Sequence, residues 1–136
     1  MKILITGATG FLGSRLLESL ASSESDAMEV IAVGRTLKPN NTVEASNIRY
    51  QLGDLEEEAF VKDAIRGADV VVHAAALSAQ MGPEGAFKRA NVQVTQHVVN
   101  ACESHSVKRL IYISSPSVYF QFKAQLNINE NDALPT

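Results

Sequence analysis

Short apolar runs alternate along this chain with stretches of helical spacing. Lys2 to Thr6 (KILIT) is apolar without a helical period, and Gly7 ends it. A run of that kind suits a strand covered on both faces. From Phe11 to about Ser22, the residues Leu12, Leu16, Leu17 and Leu20 recur at helical spacing, which predicts a first helix. Ser22 to Asp26 reads as a polar loop and Glu29 to Val33 as a second strand. Gly34 to Ser46, with Pro39, Asn40 and Asn41, reads as an irregular connection, and Asn47 to Leu52 as a third strand. Asp54 is placed to N-cap a helix from Leu55 to about Arg66, closed by Gly67. Glu56, Glu57 and Glu58 would then occupy its first turn, where the helix dipole favours negative charge. Asp69 to His73 (DVVVH) predicts a fourth strand, Glu84 to Ser104 a long helix, and Lys108 to Ser114 a fifth strand. Phe87, Ala90, Asn91, Val94, Val98 and Cys102 share one face of the long helix. Beyond Ser115 the pattern dissolves into turn residues.

Strands alternating with helices predict an α/β protein with a parallel sheet and right-handed crossovers. The strand order expected is 3-2-1-4-5, the opening part of a doubly wound sheet. The second crossover carries no strong helical pattern.

The segment Thr6 to Gly13 (TGATGFLG) carries the chemistry. It leaves a strand and opens a helix, the context in which a glycine fingerprint binds a dinucleotide. Gly7 allows a tight turn, Gly10 lets backbone N–H groups approach a pyrophosphate, and Gly13 lets the helix pack closely on the sheet. Thr9, Phe11 and Leu12 belong to the same turn, and the helix N-terminus offers donors to phosphate. A nucleotide-triphosphatase loop would end Gly-Lys-Ser/Thr, whereas Gly13-Ser14-Arg15 stands here. The fold expected is therefore Rossmann-type, one NAD(P)-binding domain over residues 1–136.

The second strand ends Val33-Gly34-Arg35, without the carboxylate that reads the ribose 2′-hydroxyl of NAD. Arg35 suits the 2′-phosphate of NADP. NADP is favoured on that ground, and NAD stays open if Arg35 is simply a solvated loop residue. Asp54 is a second candidate contact, able to accept from the adenine amino group while also capping a helix.

Composition narrows the partners. With 46% hydrophobic and 20% charged residues the chain is globular. A net charge of −3 gives no footprint for nucleic acid. No apolar run reaches the ~20 residues that span a bilayer, and the N-terminal run is too short for a signal peptide. A cytoplasmic protein without membrane contact is expected. A single cysteine, Cys102, excludes an internal disulfide or a multi-cysteine metal site, and no metal is expected.

Together these motifs resemble the extended short-chain dehydrogenase/reductase superfamily, in its epimerase/dehydratase and 3β-hydroxysteroid dehydrogenase-like branch. TGATGFLG is similar to that branch's TGxxGxxG. Gly53-Asp54-Leu55 is similar to its adenine-contacting segment, and Val71 to Ala76 (VVHAAA) to the stretch after strand four. Asn91-Val92-Gln93-Val94-Thr95 resembles its NVxxT, and Ser114 to Tyr119 (SSPSVY) its serine turn. The resemblance implies that Leu55, Ala74, Ala75, Ala76 and Asn91 lie along the cofactor and that Ser115 is the catalytic serine. It also implies hydride transfer on a hydroxyl/ketone pair of a steroid-like or nucleotide-sugar-like small molecule, assisted by a Tyr-x-x-x-Lys pair. Tyr119 and Lys123 fit that spacing literally. They are set aside because Tyr119 belongs to the serine turn and nothing around it is helical. The chain then reads as a truncated N-terminal portion, inactive alone, with a non-catalytic dinucleotide-binding module or sensor as the alternative. Strand five would be an exposed edge, prone to homo-oligomerisation or aggregation.

Of the remaining polar residues, His73 reads as packed or bonded to backbone, and His97 and His105 as solvated. Cys102 reads as a small buried hydrophobe. Asn91, an amide on an apolar face, must find partners, expected among backbone groups near strand four.

Overall fold

A computed structural model describes residues 1–22, 27–79, 81–120 and 126–134. Five strands form one parallel sheet: β1 (Lys2–Thr6), β2 (Glu29–Gly34), β3 (Ile48–Leu52), β4 (Val70–His73) and β5 (Arg109–Tyr112). Their order is β3-β2-β1-β4-β5, as expected. The register aligns Val33, Thr6, His73 and Tyr112 across the carboxyl edge.

Side-chain alternation along the strands builds two cores. Leu4, Ile31, Val33 and Val71 face α2 (Glu58–Ile65), whose Val61, Ala64 and Ile65 are buried with them. The same cluster takes Val98, Ala101 and Cys102 from the helix that ends at Ser104. Ile3, Ile5, Val30, Ala32 and Val72 face the other way, toward Leu16, Leu17 and Leu20 of α1 (Phe11–Ala21). Burial pushes the Cys102 thiol up to about 11, so it packs as a protonated, small apolar group.

Several expectations need correction. The helix foreseen from Leu55 begins at Glu58, and Asp54 does not N-cap it. The Asp54 carboxylate instead accepts from the Glu56 N–H at 3.0 Å, which turns the chain before the helix can start. Only Glu58 remains in the first turn. Glu56 lies 3.5 Å from Arg89 as an ion pair. Gly67 does close α2, with φ +74°, a conformation glycine adopts without strain. The long helix is continuous but not uniform. α3 (Glu84–Phe87) passes through a π turn, Lys88–Gln93, into α4 (Val94–Ser104). Between β2 and β3 there is a single 3₁₀ turn, Pro39–Asn41. Ser115 starts another, Pro116–Tyr119, which carries Tyr119; Lys123 lies outside the described residues. No helix among the described residues is long and apolar enough to cross a membrane.

Candidate dinucleotide site

In a parallel sheet the loops that leave the strands gather at one edge, and ligands sit where the strand order reverses. Here that place is the carboxyl edge between β1 and β4. The glycine turn leaves β1 there. Gly7 has φ +69°. A Cβ at Gly7 would lie 2.7 Å from the Ala75 nitrogen, so the turn and the segment after β4 touch. A Cβ at Gly13 would strike the Gly7 carbonyl and sit 2.7 Å from the Ala8 Cα. The close approach at Gly13 is thus to the turn itself, not to the sheet as expected. At Gly10 the nearest atom to a Cβ is the Gly7 carbonyl oxygen, at 3.1 Å. Gly10 is the extended N-cap of α1, and no acidic residue stands in that helix's first turn. The first intrahelical bond runs from the Ser14 N–H to the Gly10 carbonyl, at 3.0 Å. The N–H groups of Phe11, Leu12 and Gly13 precede it and are available to an anion. Phe11 and Leu12 are exposed, at 79% and 50%.

The strands on either side complete the edge. Ala74, Ala75 and Ala76 follow β4, the first two half-buried and the third exposed. Arg35 follows β2 and is exposed, without an ion-pair partner among the described residues. Asn41 donates from Nδ2 to the Thr9 carbonyl at 3.0 Å, tying the loop after β2 to the glycine turn. Asp54 is exposed after β3. Leu55 is turned inward against the core, and its carbonyl lies 3.2 Å from His97 Nδ1. Among the described residues neither Asp54 nor Ser115 is bonded to the glycine turn. The Ser115 hydroxyl is exposed. It donates to Ser117 Oγ at 3.0 Å and accepts from the Ser117 N–H at 3.2 Å.

Sequence reasoning missed a run of hydrogen bonds behind this edge, a ring closed only by the main chain from Ala75 to Leu77. Thr6 and His73 end neighbouring strands in register, on the face that α4 covers. Thr6 Oγ1 lies 2.6 Å from His73 Nδ1, and His73 Nε2 lies 3.1 Å from Thr95 Oγ1. Thr95 donates to the Asn91 carbonyl at 2.7 Å, so its oxygen must accept from His73 Nε2–H. Nδ1 is then the acceptor, and the Thr6 hydroxyl donates to it. Thr6 Oγ1 in turn accepts from the Ala75 N–H at 3.3 Å. Asn91, on the π turn, completes the ring: its Oδ1 accepts from the Leu77 N–H at 2.7 Å and its Nδ2 donates to the Leu77 carbonyl at 3.1 Å. The backbone partners expected for Asn91 are thus found, four residues past β4. Every donor in the ring has an acceptor only while His73 is neutral. Burial lowers its pKa to about 4, in keeping with the neutral form. His73 is 1% exposed, packed as expected, but its partners are hydroxyls instead of backbone.

His97 and His105 also depart from expectation. His105 Nε2 lies 2.9 Å from the Lys62 carbonyl. With the His97–Leu55 bond, this ties α4 to the segment around α2. Their polarity gave no hint of partners more than forty residues away.

The 3-beta hydroxysteroid dehydrogenase/isomerase family matches residues 4–136. Among curated proteins, the chain is 36% identical over 118 residues to a 2-alkyl-3-oxoalkanoate reductase of Stenotrophomonas maltophilia, covering 87% of this chain and 34% of that protein. It is 31% identical over 135 residues to the 4-hydroxy-2-methyl-3-oxo-4-farnesyl-3,4-dihydroquinoline-1-oxide ketoreductase of Stigmatella aurantiaca, covering 99% of this chain and 40% of that one. It thus spans 40% or less of the length of these relatives. Among solved structures, MoeE5 in complex with UDP-glucuronic acid and NAD superposes with a TM-score of 0.84 at 30% identity, over 99% of this chain and 43% of that one. By sequence and by fold, the chain belongs to the 3-beta hydroxysteroid dehydrogenase/isomerase family, within the extended short-chain dehydrogenases/reductases.

Proposed function

We propose that the carboxyl edge of this sheet binds a nicotinamide dinucleotide, NADP in preference to NAD, for an oxidoreductase acting on a hydroxyl/ketone pair. The observation that carries this reading is the glycine turn: left-handed at Gly7, closed against Ala75, without a side chain at Gly10, and leading into a helix start without acidic residues. The residues fit the cofactor. Pyrophosphate would rest on the N–H groups of Phe11, Leu12 and Gly13, beside Gly10. Arg35 would pair with the 2′-phosphate, Asp54 with the adenine amino group, and Leu55 would pack nearby. Ala74, Ala75 and Ala76 would line the cofactor, with Asn91 acting on it through Leu77. When bound, the dinucleotide supplies or accepts the hydride. Ser115 would orient the substrate oxygen once its hydroxyl leaves Ser117. The relatives named as reductases of oxo compounds support the hydroxyl/ketone chemistry. MoeE5 is complexed with NAD, which supports a dinucleotide without deciding the phosphate.

Titrating both cofactors against wild type and Arg35→Ala tests the preference. Losing one charge-assisted pair should weaken NADP by about tenfold to a hundredfold and NAD far less. Equal losses would contradict the NADP assignment.

The 136 residues alone are expected not to reduce ketones. General acid–base catalysis contributes about 10²–10⁴-fold, and the described residues offer no helical tyrosine–lysine pair. Turnover abolished by Tyr119→Phe would contradict this. The exposed β5 edge, with Ile111 at 41% and Tyr112 at 52%, is proposed to self-associate. Light scattering that shows a monomer at all concentrations would oppose it.

A further inference from the structure

Gly34 ends β2, and the place its side chain would take is already filled. A Cβ there would lie 2.6 Å from Thr9 Oγ1 and 2.7 Å from Thr9 Cγ2. Neither partner can yield easily. Thr9 carries two heavy atoms on Cβ, and both occupy staggered positions facing Gly34. Rotation about χ1 moves one of them away and returns the other, so one facing position is filled in every rotamer. The main chain at Thr9 is held as well: the Ala8 N–H donates to the Val33 carbonyl at 3.0 Å, and the Thr9 carbonyl accepts from Asn41 at 3.0 Å. Gly34 is fixed from the other side, its carbonyl accepting from the Gly53 N–H at 3.0 Å. Thr9 is itself buried, at 7% exposed.

The end of the second strand is where an acidic side chain reads an unmodified ribose 2′-hydroxyl. We infer that Thr9 is a specificity-determining residue: by filling the space at position 34 it bars a carboxylate there and leaves recognition of the 2′ position to the cation Arg35. This inference rests on the dinucleotide reading above. It adds that cofactor choice is set by a pair, one member of which lies in the glycine turn and would not itself need to touch the 2′ group. An exchange of specificity therefore requires two substitutions, with the space cleared before the charge is placed.

The test uses the full chain with Gly34→Ala, Gly34→Asp and Thr9→Ala, and the doubles T9A/G34A and T9A/G34D. Thermal unfolding is read first, because it reports the steric coupling whatever the ligand. Gly34→Ala should lower Tm in the wild-type background and leave it nearly unchanged in the Thr9→Ala background. Calorimetric titration with NAD⁺ and NADP⁺ is read second. T9A/G34D should bind NAD⁺ relative to NADP⁺ about tenfold or more better than T9A alone. Gly34→Asp by itself should lower Tm and gain no NAD⁺ preference. Additive melting shifts for the 9/34 pair would overturn the inference, as would Gly34→Asp alone keeping its Tm and turning to NAD⁺. A failure of the NADP reading looks different: wild type would favour NAD⁺ and Arg35→Ala would change nothing, while the melting cycle still judged the Thr9–Gly34 contact.

Discussion

At the amino end of the sheet the Asp69 carboxylate accepts from the Lys2 N–H at 2.8 Å and from Lys108 Nζ at 2.7 Å. It joins the starts of β1, β4 and β5. The Lys108 ammonium, and after it the Lys2 N–H, hold the Asp69 carboxyl below its usual range. The side chains are 31% and 78% exposed for Asp69 and Lys108. At the carboxyl end β1 and β4 are joined to each other and to the helix beside them by neutral groups, the buried Thr6 and His73 and the half-buried Thr95 and Asn91. The two closures differ in kind. An exposed ion pair is screened by water and salt and fixes little geometry. A buried ring of neutral groups has one direction of donation, and any break leaves a polar group unsatisfied. The rigid closure lies under the loops proposed to hold the cofactor, where placement of the Ala75 and Leu77 backbone matters most.

Removing the imidazole should give the largest effect. His73→Ala would open a cavity, leave the Thr6 hydroxyl without its acceptor and take from Thr95 the donor it accepts from, lowering stability by about 2–4 kcal/mol. It should weaken dinucleotide binding as the 74–77 segment loosens. Urea unfolding and cofactor titration check both parts, and intact binding beside lost stability would confine the ring to a structural role.

Acid should separate the two ends next. His73 has a folded pKa of about 4, below its ordinary 6.5. The unfolded chain therefore takes up this proton first. The stability tied to neutral His73 is complete above pH 6.5 and is lost as pH falls through about 4, on the order of 3 kcal/mol. Asp69 is lowered from 3.8, so its contribution persists above that pH and goes only below it. Between pH 6.5 and 4 the carboxyl end should weaken while the Asp69 closure holds. His73→Gln can still donate to Thr95 and accept from Thr6 but does not titrate. Its unfolding midpoint should fall less steeply over this range, and a slope equal to wild type would refute the account.

The smallest effect is expected from Asp69→Asn. It should lower Tm less than His73→Ala, leave cofactor affinity unchanged, and differ from wild type less as salt is raised. A loss as large as that of His73→Ala would mean the ends are not distinguished as argued.

Strand identity, strand order and the glycine turn were legible because local pattern carries them: a period of two or an unbroken apolar run, then a glycine where the chain must turn. Asn91 was legible too, since an amide on an apolar face has to be satisfied. The π turn at Lys88–Gln93 was not, because one extra residue in a turn barely disturbs a helical pattern. Asp54 misled because a carboxylate that caps a helix and one that closes a turn look alike in sequence. The His73 ring needed the register of β1 against β4, which places Thr6 beside His73. The Thr9–Gly34 contact needed the path of the glycine turn across β2. In sequence Gly34 reads only as a missing carboxylate.

The most direct measurement is calorimetric titration of NADP⁺ into wild type and Gly10→Val. A Cβ at Gly10 would lie 3.1 Å from the Gly7 carbonyl oxygen, which must give slightly, and the side chain would stand in the pyrophosphate's place, so the Tm of the variant is read first to establish that it folds. The account predicts saturable one-site binding to wild type and none to the folded variant. Equal binding by the two proteins, or none by a folded wild type, would contradict it.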